Sequence, residues 1–287
     1  MSARARQVTR QQRLLLWLAC SLLAGCSTLS LAYNFADWIL LWKIDGYFDI
    51  SAEQERFLEE RLTELHTWHR IETLPLYAAF LRRVQEQWRD GLTRDEIDGI
   101  VATYHELRAD LIQRIVPHGA LFLATVDTEQ VRHLEQALLK ENLRLVNRVG
   151  GDPEERQARR IESTLDWLED WLGSLTPEQE HRIIEWLGHV PDTTDQWLAH
   201  RRHRQEELVR LLQSQQHPTV VESQLRDWLA TPEKGAPPDY AQSLDQMRKS
   251  LKALAWNIDR TLTPQQRTHA VQKLDQLIQE LEGLAGG

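Results

Sequence analysis

From residue 51 to the C-terminus, apolar residues recur every three or four positions, the spacing of one face of an α-helix. Leu58, Leu62, Leu65, Trp68 and Ile71 form one such face after a capping-box start at Ser51-Ala52-Glu53-Gln54. Pro75 should end or kink that helix, and Leu76, Phe80, Val84 and Trp88 continue a stripe beyond it. Thr93 caps the next helix, with Ile97, Val101, Tyr104, Leu107, Leu111 and Ile115 inward and Pro117 as its expected end. A short apolar piece, 119–126, leads into a helix from Thr128 that carries Val131, Leu134, Leu138 and Leu145.

Gly150-Gly151-Asp152-Pro153 is the clearest interior break, since glycines close one helix and proline opens the next at its first position. Beyond it, Ile161, Leu165, Leu168 and Leu172 mark a face, and Thr176 caps a helix through Leu187. Leu208, Leu211 and Leu212 resume the stripe after a polar run at 200–204, and 232–238 reads as a linker. Tyr240, Leu244, Met247, Leu251, Leu254 and Ile258 then alternate in steps of four and three, as a helix seam does. The final helix, with Val271, Leu274, Leu277 and Leu281, is its expected partner. No stretch has the period of a strand. The prediction is an all-α bundle of about ten helices, divided into regions 51–150 and 151–287 or continuous across that break.

The start of the chain has a different character. Arg4, Arg6, Arg10 and Arg13 precede an apolar run from Leu14, with no acidic residue among them. A basic start, a short apolar core and small residues at its end make a secretory signal over residues 1–25, too short to remain as a spanning helix. Its last residues, Leu23-Ala24-Gly25-Cys26, resemble the lipobox of bacterial lipoproteins. That resemblance implies cleavage before Cys26, lipidation of its thiol and acylation of the new amino terminus. Several acyl chains matter, because one chain holds a protein at a bilayer only marginally. Ser27 in place of aspartate implies, by the same resemblance, export to the outer membrane with the body in the periplasm.

Residues 26–50 form the anchor and the most apolar stretch after the cysteine. Asn34 and Asp37 interrupt it, so it cannot cross a bilayer. It is either a first helix buried in the core or a lipid-proximal or partner-docking face. Tyr33, Asn34, Trp38 and Trp42 are the candidate protein- or membrane-contact residues of the second alternative.

Composition narrows the picture further. The overall charge of −9 becomes −13 once the four signal arginines are removed, 30 basic against 43 acidic residues. Such a surface is a poor binder of nucleic acid. Both cysteines, Cys20 and Cys26, lie in the signal and lipobox, so the body folds without disulfides and depends on packing, to which its tryptophans contribute.

Leu175-Thr176-Pro177-Glu178-Gln179 and Leu262-Thr263-Pro264-Gln265-Gln266 are near copies. Leu92-Thr93-Arg94-Asp95-Glu96 is a looser third and Ile50-Ser51-Ala52-Glu53-Gln54 a fourth. They resemble the Leu-Thr-x-x-Gln signature of small helical periplasmic stress chaperones, although threonine at N-cap and glutamine at N3 also make a good helix start by themselves. More of the chain resembles an uncharacterised family of Gram-negative lipoproteins. The residues concerned are Leu31-Ala32-Tyr33-Asn34, Trp38, Trp42, Asp45-Gly46-Tyr47, Trp68-His69-Arg70, Leu74-Pro75-Leu76-Tyr77 and Asn257-Ile258-Asp259-Arg260. This resemblance implies an anchor, a compartment and a helical fold, and no activity.

No catalytic motif is present: no nucleophile elbow, no P-loop, no dinucleotide turn after a strand. His66 with His69 and His200 with His203 have ligand-like spacing, but each pair lacks the third and fourth donors of a zinc site, and solvated or capping histidines are the expectation. The run 200–204 is expected to be a solvated face, with Arg202 near Glu206 and Arg204 near Glu207. The functional expectation is therefore a lipid-anchored envelope protein without catalytic, metal or cofactor residues. It would contact the bilayer through acylated Cys26 and bind an envelope protein partner as a scaffold. A holdase for envelope proteins and a cell-wall hydrolase or its activator are the alternatives.

Overall fold

The computed structural model describes residues 28–214 and 216–286. The signal sequence and Cys26 lie outside them. The described residues contain helices and turns only, so the protein is all-α. In chain order the helices are α1 (Thr28–Asn34), α2 (Ala36–Phe48), α3 (Ala52–Trp68), α4 (Leu74–Asp90), α5 (Arg94–Leu123) and α6 (Thr128–Val149). They continue with α7 (Pro153–Leu172), α8 (Pro177–His189), α9 (Thr194–Gln213), α10 (Pro218–Ala230), α11 (Pro238–Asp259) and α12 (Pro264–Gly286).

Helices from the two sides of the Gly150-Gly151 break interlock: α12 packs along α4, α10 along α5, and α9 against α6. One core lies at the junction of α2, α3, α5, α6 and α9, around Phe48, Leu58, Phe122, Leu134 and Val209. A second gathers Leu168, Leu172, Ile183, Leu187 and Ala270 from α7, α8 and α12. The break is a well-formed cap: Gly151 sits at φ +110, and the Asp152 carboxylate accepts from the Glu155 N–H at 2.9 Å.

The near-copied helix starts have a structural meaning that capping does not exhaust. Gln54 at the start of α3 and Gln130 at the start of α6 face each other, each Nε2 donating to the other's Oε1 at 3.0 and 2.6 Å. Each Oε1 also accepts the N–H of its own N-cap residue, Ser51 at 3.0 Å and Asp127 at 3.2 Å. The second amide proton of Gln54 reaches the Thr125 carbonyl, and that of Gln130 the Asp49 carbonyl. Gln179 and Gln266 repeat the arrangement between α8 and α12, at 3.0 and 2.8 Å, with the Thr261 and Ser174 carbonyls as outer acceptors. All four amides are buried with both donors and the acceptor used, as a polar group inside a core requires. The set differs from the one expected. Thr93 and Glu96 form an exposed capping box that pairs with no other box, and Asp127-Thr128-Glu129-Gln130 takes the fourth place instead.

Four other expectations are corrected. Pro117 does not stop α5, which runs on to Leu123 and absorbs the 119–126 piece. Proline inside a helix costs about 3 kcal/mol, but Ile112, Val116, Ala120 and Phe122 around it are all buried. Each large apolar side chain gains about 1.5–3 kcal/mol on burial, so packing against α10 outweighs the proline. Gly119 assists that packing, since a Cβ there would lie only 3.3 Å from Leu225.

Between α3 and α4 the chain makes one π-turn, His69–Thr73, in which the Leu74 N–H bonds the His69 carbonyl. Pro75 then falls in the first turn of α4, where its missing N–H has no cost. The extra residue turns the helix phase, so Ile71 is 61% exposed and Leu74 only 2%. Leu76 is likewise exposed, and the buried face of α4 is Leu74, Ala78 and Gln85.

The last two helices do not pair along the expected seam. α11 lies on α5 and α8, whereas α12 lies on α4 and α7. The turn between them is held elsewhere: the buried Asp259 carboxylate accepts from Trp88 Nε1 (2.8 Å), the Leu92 N–H (2.8 Å) and Arg267 (2.9 Å). That ion pair directs α12 away from α11 and along α4.

The run at 200–204 is only in part a solvated face. His200 is buried, bonded through Nε2 to the Pro232 carbonyl at 2.9 Å and set against the Tyr240 ring. Arg204 lies over the Trp228 ring at 4.3 Å and donates to the Trp228 carbonyl. His200 thus pins the start of the linker at 232–238 to α9, and Arg204 pins the end of α10.

Candidate functional site

The apolar N-terminal stretch is two helices rather than one. α1 ends at Asn34, and Phe35 leaves helical geometry at φ −107, ψ 15 before α2 begins. Of α2, Phe48 alone is buried. Trp38 and Trp42 are 63% and 62% exposed, and Leu31, Phe35 and, on the other side of α2, Leu40 are exposed as well. Both alternatives therefore hold in part for α2: Leu41, Ile44, Tyr47 and Phe48 pack into the core, whereas Trp38 and Trp42 stand outside it. Scattered exposed apolar residues are ordinary, but Leu31, Phe35, Trp38 and Trp42, at steps of four, three and four, form a patch of the kind that marks an interaction surface.

Tyr33 and Asn34 face inward, towards the π-turn. The Tyr33 hydroxyl bonds His69 Nδ1 at 2.9 Å, and its ring stands edge-on to His66 at 4.8 Å. Tyr77 closes the cluster, 5.5 Å from the His69 ring. Arg70 lies over the Tyr33 ring at 5.3 Å and donates to Asn34 Oδ1 at 2.7 Å and to the Leu284 carbonyl at 3.1 Å. The candidate residues thus split: Trp38 and Trp42 form an outer surface, whereas Tyr33 and Asn34 dock α1 onto the body.

Burial, with His66 beside it, pulls the His69 imidazole below its ordinary range and keeps it neutral at neutral pH. A neutral ring can accept the Tyr33 hydroxyl proton at Nδ1. Burial also pushes the Tyr33 hydroxyl up, with Arg70 opposing, so it stays protonated as a donor. The expectation of solvated or capping histidines is corrected at His66 and His69, which are half-buried ring partners. The sequence signal for this was Pro75 shortly after a tryptophan–histidine pair within an unbroken apolar stripe.

Below this cluster lies a cavity of about 430 Å³ between α2, α3, α5 and α10. Its wall is apolar, with Ile44, Leu62, Leu65, Ile115, Leu225 and Leu229 among its residues. Tyr33, His66 and His69 stand on its upper side, with Asp37, Arg61 and His118 the other ionisable groups along it. Leu40 also lines it and is 48% exposed, so the cavity opens to the outside on the side of α2 away from Trp38 and Trp42. Periodicity alone did not reveal it, because an apolar stripe looks the same whether it meets a neighbour or a void.

Among the described residues, no three His, Cys, Asp or Glu side chains are grouped so as to hold a metal ion. No helix among them is long and apolar enough to cross a membrane.

A family profile described as a family of unknown function, DUF6279, matches residues 46–241, well over half of the chain. The chain belongs to that family. No curated protein and no solved structure matches it. The DUF6279 match holds the Trp68-His69-Arg70 and Leu74-Pro75-Leu76-Tyr77 segments, and with them the π-turn and most of the cavity wall. The segment 31–45 and the Asp259 turn lie outside the part matched by DUF6279.

Proposed function

We propose that the protein is a lipid-anchored component of the bacterial cell envelope that binds a partner without chemical turnover, held through acylated Cys26 at the periplasmic face of the outer membrane. The observation that carries this reading is the exposed apolar surface of α1 and α2, which begins at Leu29, three residues after the lipobox cysteine. An apolar face at the membrane-proximal end of an acidic body is suited to a surface that is itself apolar, a protein partner or the bilayer interface.

The test uses the full-length chain in its own envelope with a photo-crosslinking residue at Trp38, Trp42 or, as a control, the exposed Trp167. The reading expects one discrete crosslinked envelope protein from positions 38 and 42, none from 167, and loss of the product in Cys26→Ser together with loss of the lipid on the N-terminal peptide. A broad ladder of unfolded clients would replace the scaffold reading by a holdase. Normal maturation of Cys26→Ser would refute the anchor, and clearing of purified cell wall in a zymogram would refute the non-enzymatic part.

A further inference from the structure

We infer that the cavity between α2, α3, α5 and α10 is a binding site for one single-chain anionic amphiphile, a fatty-acid-like molecule of about sixteen to eighteen carbons. Size gives the chain length. An apolar cavity of about 150 Å³ accepts the six carbons of benzene, so 430 Å³ scales to about 17 carbons. The chemistry of the wall gives the class. Leu62, Leu65, Ile115 and Leu229 are only half-buried, although Leu62, Ile115 and Leu229 pack against core residues, because one side of each opens on the cavity. Walls lined this way forfeit dispersion contacts that a flexible hydrocarbon chain would restore.

The ionisable groups along the cavity favour an anionic head. Arg61, His66, His69 and His118 offer nitrogen donors, Arg61 while also bonded to Glu64 at 2.8 Å and Glu60 at 3.4 Å, and Asp37 is the carboxylate on the wall itself. Leu40 marks the mouth, since it lines the cavity and is 48% exposed. The supply of ligand from a membrane rests on the anchor proposed above; the site itself does not.

The experiment incubates the full-length protein in dioleoylphosphatidylcholine vesicles with a palmitate analogue carrying a mid-chain diazirine, then maps crosslinks by mass spectrometry. The expected crosslinks fall on Leu62, Leu65 and Ile115. Unlabelled palmitate should compete, shorter acids progressively less, by up to about fourfold per methylene removed. Hexadecyltrimethylammonium should compete at least tenfold more weakly than palmitate.

Ala36→Trp and Leu62→Trp, which fill the cavity from opposite sides, should cut crosslinking tenfold or more, while Trp167→Ala leaves it unchanged. A thermal melt shows that each variant is folded, and Ala36→Trp, at a half-exposed helix start, keeps the test valid if Leu62→Trp is not. Crosslinks confined to Trp38 and Trp42 would mean lipid contact on the outer face only and overturn the proposal. So would competition independent of chain length, equal competition by the cationic amphiphile, or a dimer in which a second copy occludes the cavity and palmitate has no effect. Because vesicles supply the lipid, Cys26→Ser should give the same crosslinks as the unsubstituted chain. Failure of the anchor would therefore leave this result standing.

Discussion

Gln266→Glu replaces one amide nitrogen by oxygen and changes almost nothing else. In the structure Gln266 Nε2 donates to Gln179 Oε1 at 2.8 Å and to the Ser174 carbonyl at 2.9 Å. The substitution removes both donations and sets two oxygens against each other in a site where Gln179 and Gln266 are 3% and 5% exposed. An unsatisfied buried acceptor costs about 1–3 kcal/mol, and a desolvated carboxylate adds to it. The sum expected at pH 7 is roughly 3–5 kcal/mol, a fall in Tm of about 6–20 °C for a chain of this size.

The loss should depend on pH with a definite sign. Burial without a cation raises the folded pKa of the new carboxyl above its unfolded value of about 4.3, so protons bind more tightly to the folded state. The penalty is then full above the raised pKa and shrinks as pH falls through it, when the acid regains an O–H donor. Urea unfolding of variant and unsubstituted chain at pH 7 and pH 4.5 measures this directly. The exposed capping box is the control: Glu96→Gln keeps an acceptor for the Thr93 N–H and should leave Tm nearly unchanged. Equal losses in the two variants, or a Gln266→Glu penalty that is the same at both pH values, would refute the clasp as a buried, fully satisfied network.

Two further outcomes follow from the region around the π-turn. Leu74→Ala should cost about 2–5 kcal/mol and Ile71→Ala less than about 0.5 kcal/mol, the reverse of what an uninterrupted α-helical stripe requires, and denaturant midpoints of the two variants decide between them. The depressed His69 pKa means that the unfolded chain takes up this proton first as pH falls below 6.5, so stability is lost in that direction until the folded pKa is passed. His69→Gln should flatten that slope between pH 7 and 5, and an NMR titration of His69 at or above 6.5 would contradict the account.

The sequence displayed the helices better than their partners. Helical periodicity, capping boxes and the Gly150–Pro153 break marked most elements, because those signals are local. Pro117 misled because the burial that outweighs it comes from α10, a hundred residues later in the chain. The seam of α11 was real as an amphipathic face, yet a face does not name the helix that covers it; Asp259 and Arg267 do that, through Trp88 and Leu92 on a distant turn. At the candidate site Trp38 and Trp42 were legible as apolar residues in an interrupted stretch. The ring cluster was not, since one extra residue at 69–73 is enough to move every side chain beyond it.

The position of α12 against α4 has a consequence for how the chain comes together. Gln85 Nε2 bonds the Val271 carbonyl across a separation of 186 residues, and Arg70 reaches the Leu284 carbonyl across 214. A chain emerging N-terminus first can close the Gln54–Gln130 clasp early, across a separation of 76 residues. The inner face of α4, with Leu74 and Ala78, lacks its main cover until α12 has appeared. Closing such distant contacts is slow, and an apolar helix left open in the meantime invites association with other chains. The protein is therefore most vulnerable in the interval before α12 arrives, and a truncation within α12 should be felt first along α4.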